Sequence, residues 1–211
     1  MNQIVFIIFE LIVLLFSVIL HEVSHGAVAY ALGDTTAKDA RRLTLNPLPH
    51  LDLMGSFLVP LFLFILPSLF GAPPGSTPIF GWAKPVPYNP YNLKNPKVGG
   101  GMIALAGPVA NFLIALFASG CLFLVRAFTL SFVQQELLQL VVLINVFLGI
   151  FNLVPIPPLD GSKVLAAFLP NRAAAAFLSL ERYGMILLLI FIFFGFQLIV
   201  PIVYWIAHFL M

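Results

Sequence analysis

The sequence predicts an all-α membrane protein, folded as a polytopic helical bundle. Three observations lead to this prediction. Of the 211 residues, 61% are hydrophobic and only 9% are charged, whereas soluble domains are about 45–50% apolar and about 25% charged. The mean hydropathy is +1.07. Apolar runs that reach the roughly 20 residues a helix needs to cross a bilayer recur along the chain.

Four of these runs predict full transmembrane helices: 3–32, 101–126, 134–155 and 184–209. The first run lacks the basic start of a secretory signal and continues beyond His25, so a retained helix is expected. Prolines and glycines cluster in 71–100 and 154–161, where they interrupt helices. With no soluble domain visible, residues 1–211 are predicted to form a single integral membrane domain.

A shorter apolar run at 53–70 leads into a Gly/Pro-rich stretch, and together they form an insert at 53–80. Cytoplasmic loops are enriched in Lys and Arg. If the insert crosses the membrane zero or two times, nine of the ten Lys and Arg residues lie on one side, with only Arg126 on the other. A single crossing would divide them four to six. The insert is therefore predicted to be a re-entrant element or hairpin, with the N-terminus outside the cytoplasm.

Charge and cysteine content exclude other classes. The formal net charge is only +2, and the basic residues are scattered, so no nucleic-acid partner is expected. The single cysteine, Cys121, rules out a disulfide framework and a cysteine metal site.

The polar string HEVSH (21–25) stands inside the first apolar run. Ionisable groups at that depth are costly, which makes them candidates for function. His21 and His25 are four residues apart, so they share one face of a helix, where two imidazole nitrogens can bind one metal ion. Glu22 lies about 100° around the helix, beside such a metal, as a general base for water should. The H-E-x-x-H spacing therefore predicts a zinc site with a base.

A catalytic zinc usually takes three protein ligands and a water. Asp160 follows an apolar helix that is broken by Pro155, Pro157 and Pro158. Irregular backbone at membrane depth is tolerated only where it is buried in protein or lines a water-filled cavity, and a carboxylate there needs a cation. Asp160 is the predicted third ligand. His50, in the polar setting LNPLPHLD, is the alternative.

Taken together, HEVSH, AGPVANF (106–112) and NLVPIPPLDG (152–161) resemble the site-2 protease family of intramembrane zinc metalloproteases. The resemblance covers a three-helix core, about residues 10–30 and 80–170, and includes no PDZ or CBS module. It implies hydrolysis of peptide bonds in transmembrane protein substrates within the lipid bilayer. One zinc ion per chain would be bound by His21, His25 and Asp160, with Glu22 as the catalytic base.

Further roles come only from this resemblance. Asn152 would hold the substrate carbonyl or oxyanion, and Asn111 would support the site from behind. The segment GWAKPV would form a short strand near 80–88, beside which an unwound substrate could lie; its candidate contacts are Gly81, Trp82, Ala83 and Lys84. The resemblance also implies a multi-pass protein of a prokaryotic cell membrane, open to the cytoplasm at its active site, for which a homo-oligomer is possible.

The residues themselves leave simpler alternatives open. The ionisable cluster could be a structural polar group without metal, and Asn152 could cap free carbonyls at a helix end. Asn111 could hydrogen-bond a neighbouring helix, and the proline-rich segment could be an interfacial loop. The competing function is a membrane metal transporter or sensor, which has no need of a base at Glu22.

Overall fold

The computed structural model describes residues 3–71, 81–127 and 132–211, and these ranges contain helices and no β-strand. The predicted all-α fold is confirmed. The α-helices of the described ranges are α1 (Gln3–Ala31), α2 (Thr36–Asp39), α3 (Val59–Ile65), α4 (Pro96–Ala127), α5 (Phe132–Leu153), α6 (Asp160–Phe168), α7 (Asn171–Leu178), α8 (Gly184–Ile190) and α9 (Phe196–Leu210). Short 3₁₀ and π-helical turns extend or join them: Leu48–His50, Leu53–Leu58, Leu66–Phe70, Pro90–Asn92, Ser179–Tyr183 and Phe191–Gly195.

Five helical runs in the described ranges are long and apolar enough to cross a membrane: Ile4–Ala31, Leu53–Phe70, Pro96–Leu124, Phe132–Leu153 and Asn171–Leu210. Four correspond to the predicted spans. The last begins earlier than predicted because α7 and a 3₁₀ turn lead directly into α8. Large apolar side chains on α1, such as Ile4, Leu11 and Ile12, are exposed on the outside of the bundle, as in a helix that faces lipid.

Three helices form the centre of the bundle. α1 and α4 run antiparallel, because Ser17 contacts Asn111 whereas His25, two turns further along α1, contacts Ile103 near the start of α4. α4 and α5 form a second antiparallel pair, in which Asn111 contacts Asn145. The C-terminal ends of α1 and α5 and the N-terminal end of α4 therefore lie at the same end of the bundle.

The remaining helices pack around this centre. α9 joins α4 and α5 through a core of small and branched residues: Ala115, Ala118, Val142, Val146, Val203 and Ala207. α6 follows the end of α5 and lies very close to α4, since a Cβ on Gly101 would be only 2.5 Å from the Cβ of Ala167. Such an approach is possible only for glycine.

The run at 53–70 is one continuous helical segment. Its start contacts the residues that follow the insert. The Trp82 N–H donates to the Gly55 carbonyl at 3.1 Å, and a Cβ on Gly81 would lie 2.3 Å from the same oxygen. The start of the insert therefore contacts the residues that directly follow it. Residues 72–80 of the insert lie outside the described ranges.

The segment predicted to be strand-like is non-helical over the described residues 81–88, but it is not a β-strand. Pro85 and Pro87 lack N–H groups, so the segment cannot form a regular ladder. Loop carbonyls and side chains hold it instead. One example is the Lys84 N–H, which donates to the His50 carbonyl at 2.8 Å.

Candidate metal centre

The two histidines of HEVSH lie in the second half of α1, on the face that packs against α4. The ring centroids of His21 and His25 are 4.6 Å apart and the rings are nearly perpendicular, at 88°. This proximity follows from their spacing of four residues on one helix. His21 is buried, with 6% of its surface exposed.

Asp160 approaches the histidines from the start of α6, directly after the proline-rich loop that follows α5. Its Oδ2 lies 3.0 Å from Nε2 of His21 and 3.2 Å from Nε2 of His25. The next residue makes this turn possible, because a Cβ on Gly161 would lie 2.2 Å from the carbonyl oxygen of Leu153. The structure therefore brings together the three predicted metal ligands, although 139 residues separate His21 from Asp160.

The hydrogen bond made by Nδ1 sets the tautomer of each histidine when its ring is neutral. The Nδ1 of His25 lies 2.6 Å from the carbonyl oxygen of Ile103. A carbonyl can only accept, so Nδ1 carries a hydrogen, and in the neutral ring Nε2 holds the lone pair. The Nδ1 of His21 lies 2.6 Å from Oδ1 of Asn111.

The orientation of the Asn111 amide is fixed by Asn145. The Nδ2 of Asn145 donates to the Val141 carbonyl and to Oγ of Ser17, both at 2.9 Å. Its Oδ1 consequently accepts from Nδ2 of Asn111 at 3.0 Å, and Asn111 turns Oδ1 towards His21. His21 must therefore donate through Nδ1, so in the neutral ring Nε2 again holds the lone pair. Both asparagines are fully buried, at 0% exposure.

With both rings neutral, two Nε2 lone pairs and a carboxylate oxygen converge. Such a group needs positive charge, from protons on the imidazoles or from a metal ion, because unpaired lone pairs in a buried site repel one another. Ligand atoms about 2.0–2.1 Å from a tetrahedral zinc lie roughly 3.3 Å apart, and the separations from Asp160 are 3.0 and 3.2 Å. Gly107 keeps the space open, since a Cβ there would lie 2.5 Å from Nε2 of both His21 and His25. The donor set fits zinc.

Glu22 lies beside this centre and faces the same cavity. Its Oε2 accepts a hydrogen bond from the Val86 N–H at 2.8 Å. Oε1 accepts no hydrogen bond from the described residues. One carboxylate oxygen is tethered, and the other is open to the cavity.

The cavity has a volume of about 180 Å³. Besides the four ionisable residues, its polar lining side chains are Tyr88, Asn152 and Lys163.

Asn152 lies in the cavity wall, as expected for a residue that contacts substrate. Its Nδ2 donates to the Leu148 carbonyl, one turn back on α5, at 3.0 Å. One amide hydrogen is therefore used within the helix, in agreement with the capping alternative, and the second is not used by the described residues.

The four predicted substrate contacts, Gly81, Trp82, Ala83 and Lys84, do not line the cavity. The residues of this segment that do line it are Pro85, Val86 and Tyr88. His50, the rival ligand, is buried elsewhere, and its Nε2 donates to the Thr44 carbonyl at 2.9 Å.

Asp34 anchors the loop that follows this segment. Its carboxylate is buried and accepts hydrogen bonds from the Asn89 N–H and from Nδ2 of Asn92, both at 2.7 Å, and from the N–H and hydroxyl of Thr36. Burial alone would raise the pKa of Asp34, but the hydrogen bonds from Thr36, Asn89 and Asn92 outweigh it and hold the pKa below its ordinary value of 3.8.

Several residues that support the site were not singled out in the sequence. Asp34 carried a usable signal, because an Asp two residues before a Thr commonly bonds the backbone at a helix start. Asn145 and Ser17 carried none, since 128 residues separate them and only the packing of α1 on α5 joins them. Arg42 is buried and donates to the Lys84 carbonyl at 2.6 Å, again without a local pattern.

The fold and the donor set define a class of protein: an integral, multi-pass membrane protein that carries a metal-hydrolase type of centre between its helices. Comparisons with known proteins point to the same class. The sequence profile described as peptidase family M50 matches residues 119–196. No solved structure matches the chain.

Three relatives are similar to this chain. "Putative zinc metalloprotease YwhC" of Bacillus subtilis is 34% identical over 185 residues, which is 85% of this chain and 77% of the relative. "Putative zinc metalloprotease Rip2" of Mycolicibacterium smegmatis is 28% identical over 178 residues, 83% of this chain and 63% of the relative. "Zinc metalloprotease MJ0392" of Methanocaldococcus jannaschii is 35% identical over 79 residues, 37% of this chain and 22% of the relative.

The chain therefore belongs to peptidase family M50, the site-2 protease family of zinc metalloproteases. The resemblance seen in the sequence motifs is confirmed.

Proposed function

We propose that this chain is an intramembrane endopeptidase that hydrolyses peptide bonds of transmembrane or membrane-proximal segments, with one zinc ion held by His21, His25 and Asp160. The observation that carries the proposal is the convergence of two Nε2 atoms and one carboxylate on a cavity inside a helical bundle. When bound there, zinc acidifies water and polarises a carbonyl group.

Glu22 is the general base. With Oε2 tethered to the Val86 N–H, Oε1 is oriented into the cavity and accepts a proton from water. The same proton goes to the leaving amine as the peptide bond breaks, so the carboxylate is regenerated. Asn152 contributes its second amide hydrogen to the substrate carbonyl oxygen, as an oxyanion donor does.

The substrate must unwind before it is cleaved, because a transmembrane helix hides its carbonyls in its own hydrogen bonds. We place the unwound stretch beside the non-helical segment 81–88, which enters the cavity wall at Val86 and Tyr88.

The site opens towards the cytoplasm, with the N-terminus outside, in the cell membrane of a prokaryote. Two contacts support this orientation. The antiparallel packing of α1 on α4 requires residues 32–95 to begin and end on one side, and Gly55 touches Trp82 across the insert. An even number of crossings then places nine of the ten Lys and Arg residues on the cytoplasmic side.

The test combines zinc content with cleavage. Purified protein in liposomes is assayed by mass spectrometry for zinc and against a panel of single-span substrates, as wild type, Glu22→Gln and Glu181→Gln. Glu181 is exposed and does not line the cavity, so it controls for the same chemical change. We expect zinc in all three and cleavage lost by a factor of about 10²–10⁴ only in Glu22→Gln.

Equal cleavage by wild type and Glu22→Gln would contradict the proposal. Zinc flux across the liposome membrane without cleavage, unaffected by Glu22→Gln, would instead support a transporter.

A further inference from the structure

A buried arginine lies behind the segment that tethers Glu22. Arg42 is 6% exposed, and its Nη2 donates to the Lys84 carbonyl at 2.6 Å and to the Pro85 carbonyl at 3.3 Å. No carboxylate of the described residues lies within 4.0 Å of it, and its Nε has no partner there. A buried charge is costly unless other groups compensate it, so the carbonyl dipoles of this segment compensate the charge of Arg42.

The Pro85 carbonyl and the Val86 N–H belong to one peptide group. In a trans peptide the C=O bond and the N–H bond point in opposite directions. Arg42 contacts the oxygen at one end, and Oε2 of Glu22 accepts from the N–H at the other end at 2.8 Å. A cation, an oriented peptide dipole and an anion therefore stand in a row, an arrangement in which each hydrogen bond strengthens the next.

Other contacts fix the same peptide from the side. The Val86 side chain packs against α1 at Gly26, one turn beyond Glu22, where an added Cβ would lie 2.8 Å from Cγ1 of Val86. The remaining freedom is rotation of the peptide plane, and the two carbonyl contacts of Arg42 oppose it.

We infer that Arg42 is a positioning residue for Glu22, acting through the Pro85–Val86 peptide group. The inference rests on the proposed role of Glu22 as the base. Without the guanidinium, the Val86 N–H turns away and Oε2 loses its tether, so the carboxylate no longer presents Oε1 to water in one orientation. The metal ligands His21, His25 and Asp160 make no contact with Arg42, so their geometry is not altered.

The kinetic test compares Arg42→Gln with Arg41→Gln, the same change at an exposed neighbouring residue. Loss of a supporting hydrogen-bond partner typically costs 10–100-fold. We expect kcat of Arg42→Gln to fall by about that factor with zinc content unchanged, while Arg41→Gln behaves as wild type. Arg42→Lys should recover part of kcat, because an ammonium can contact one carbonyl but lacks the planar fork.

A purely structural role for Arg42 gives a different result. Arg42→Gln would then yield less folded protein, with wild-type kcat per zinc-loaded molecule, and that result would overturn the inference.

A second readout does not depend on catalysis. Hydrogen exchange of the Val86 amide is followed by NMR on ¹⁵N-labelled, zinc-loaded protein. We expect exchange at least about tenfold faster in Arg42→Gln and in Glu22→Gln, and unchanged in Arg41→Gln. Unchanged exchange in Arg42→Gln would contradict the inference whatever the activity. If wild type cleaves no substrate, the proposed function fails, and the exchange measurement still decides the role of Arg42.

A further pair of variants tests the Val86 N–H, the group through which Arg42 is proposed to act. Val86→Pro deletes the N–H, whereas Val86→Ala keeps it and trims only the side chain. If Arg42 acts through this peptide, adding Arg42→Gln lowers kcat little further in the Val86→Pro background. In the Val86→Ala background it lowers kcat by the same factor as in wild type. Equal factors in both backgrounds would overturn the inference.

Discussion

The Nδ1 of His21 donates a 2.6 Å hydrogen bond to Oδ1 of Asn111, across 90 residues of sequence. This contact fixes the tautomer that leaves Nε2 free for metal. It also connects the centre to a buried amide pair, because Nδ2 of Asn111 donates to Asn145. Residues deep in the bundle thus orient His21, the proposed zinc ligand.

Replacing Asn111 tests this relationship. Asn111→Leu removes the acceptor, so His21 loses its fixed tautomer, and zinc affinity should fall by about 10–100-fold in a chelator competition assay. Asn111→Asp is the matched control, since it keeps an oxygen for His21 but loses the amide donor to Asn145. We expect Asn111→Asp to retain more zinc affinity than Asn111→Leu while its Tm falls. Equal affinities in the two variants would count against the tautomer argument.

Gly107 provides a second test of the centre. A methyl group there would lie 2.5 Å from Nε2 of both histidines, so Gly107→Ala should abolish zinc binding. Gly120→Ala is made on the same helix, α4, where nothing lies within 4 Å of an added Cβ. This control should keep zinc and gain stability, by about 0.5–1 kcal/mol, because alanine favours the helix. Full zinc occupancy in Gly107→Ala, measured by mass spectrometry, would place the metal elsewhere.

The lowered pKa of Asp34 predicts that the stability of the fold depends on pH. Its pKa in the folded protein is lowered from 3.8, so its hydrogen bonds stabilise the fold fully above that value and are lost as the pH falls below it. Thermal unfolding in detergent should show a Tm that falls below about pH 4 in wild type and more weakly in Asp34→Asn.

We expect Asp34→Asn also to be less stable than wild type at neutral pH, by about 1.5–3 kcal/mol. The asparagine NH₂ and the Asn89 N–H are both donors, so the hydrogen bond between residues 34 and 89 is lost. The control is Asp39→Asn, an exposed carboxylate in α2. A Tm profile of Asp34→Asn identical to that of wild type would show that this carboxylate does not anchor the loop.

Asn152 separates catalysis from helix capping. If its second amide hydrogen contacts the substrate carbonyl, Asn152→Ala lowers kcat by about 10²–10³ with Tm and zinc content unchanged. If the bond to the Leu148 carbonyl is its whole role, Tm falls and kcat per folded molecule stays at the wild-type value. Cleavage kinetics and thermal unfolding of the same preparation distinguish the two.

The sequence predicted those features that arise from local chemistry. The spans follow from the length of apolar runs, and the proximity of His21 to His25 follows from helix periodicity alone. The approach of Asp160 was predictable because prolines break α5 at membrane depth. The substrate segment could not be predicted in this way. Trp82 contacts the insert and Lys84 contacts His50, whereas Val86 lines the cavity.

By itself, then, the sequence determined that this protein crosses a membrane several times and carries a metal motif in its first helix, because hydropathy and a four-residue spacing act within one element. Only the tertiary structure decided how that motif is supported. Asn145, Arg42 and Asp34 make their contacts between separate elements, and their residue types are common at positions without function. No periodicity encodes such contacts; the packing of α1, α4 and α5 and the course of the segment beside them create them.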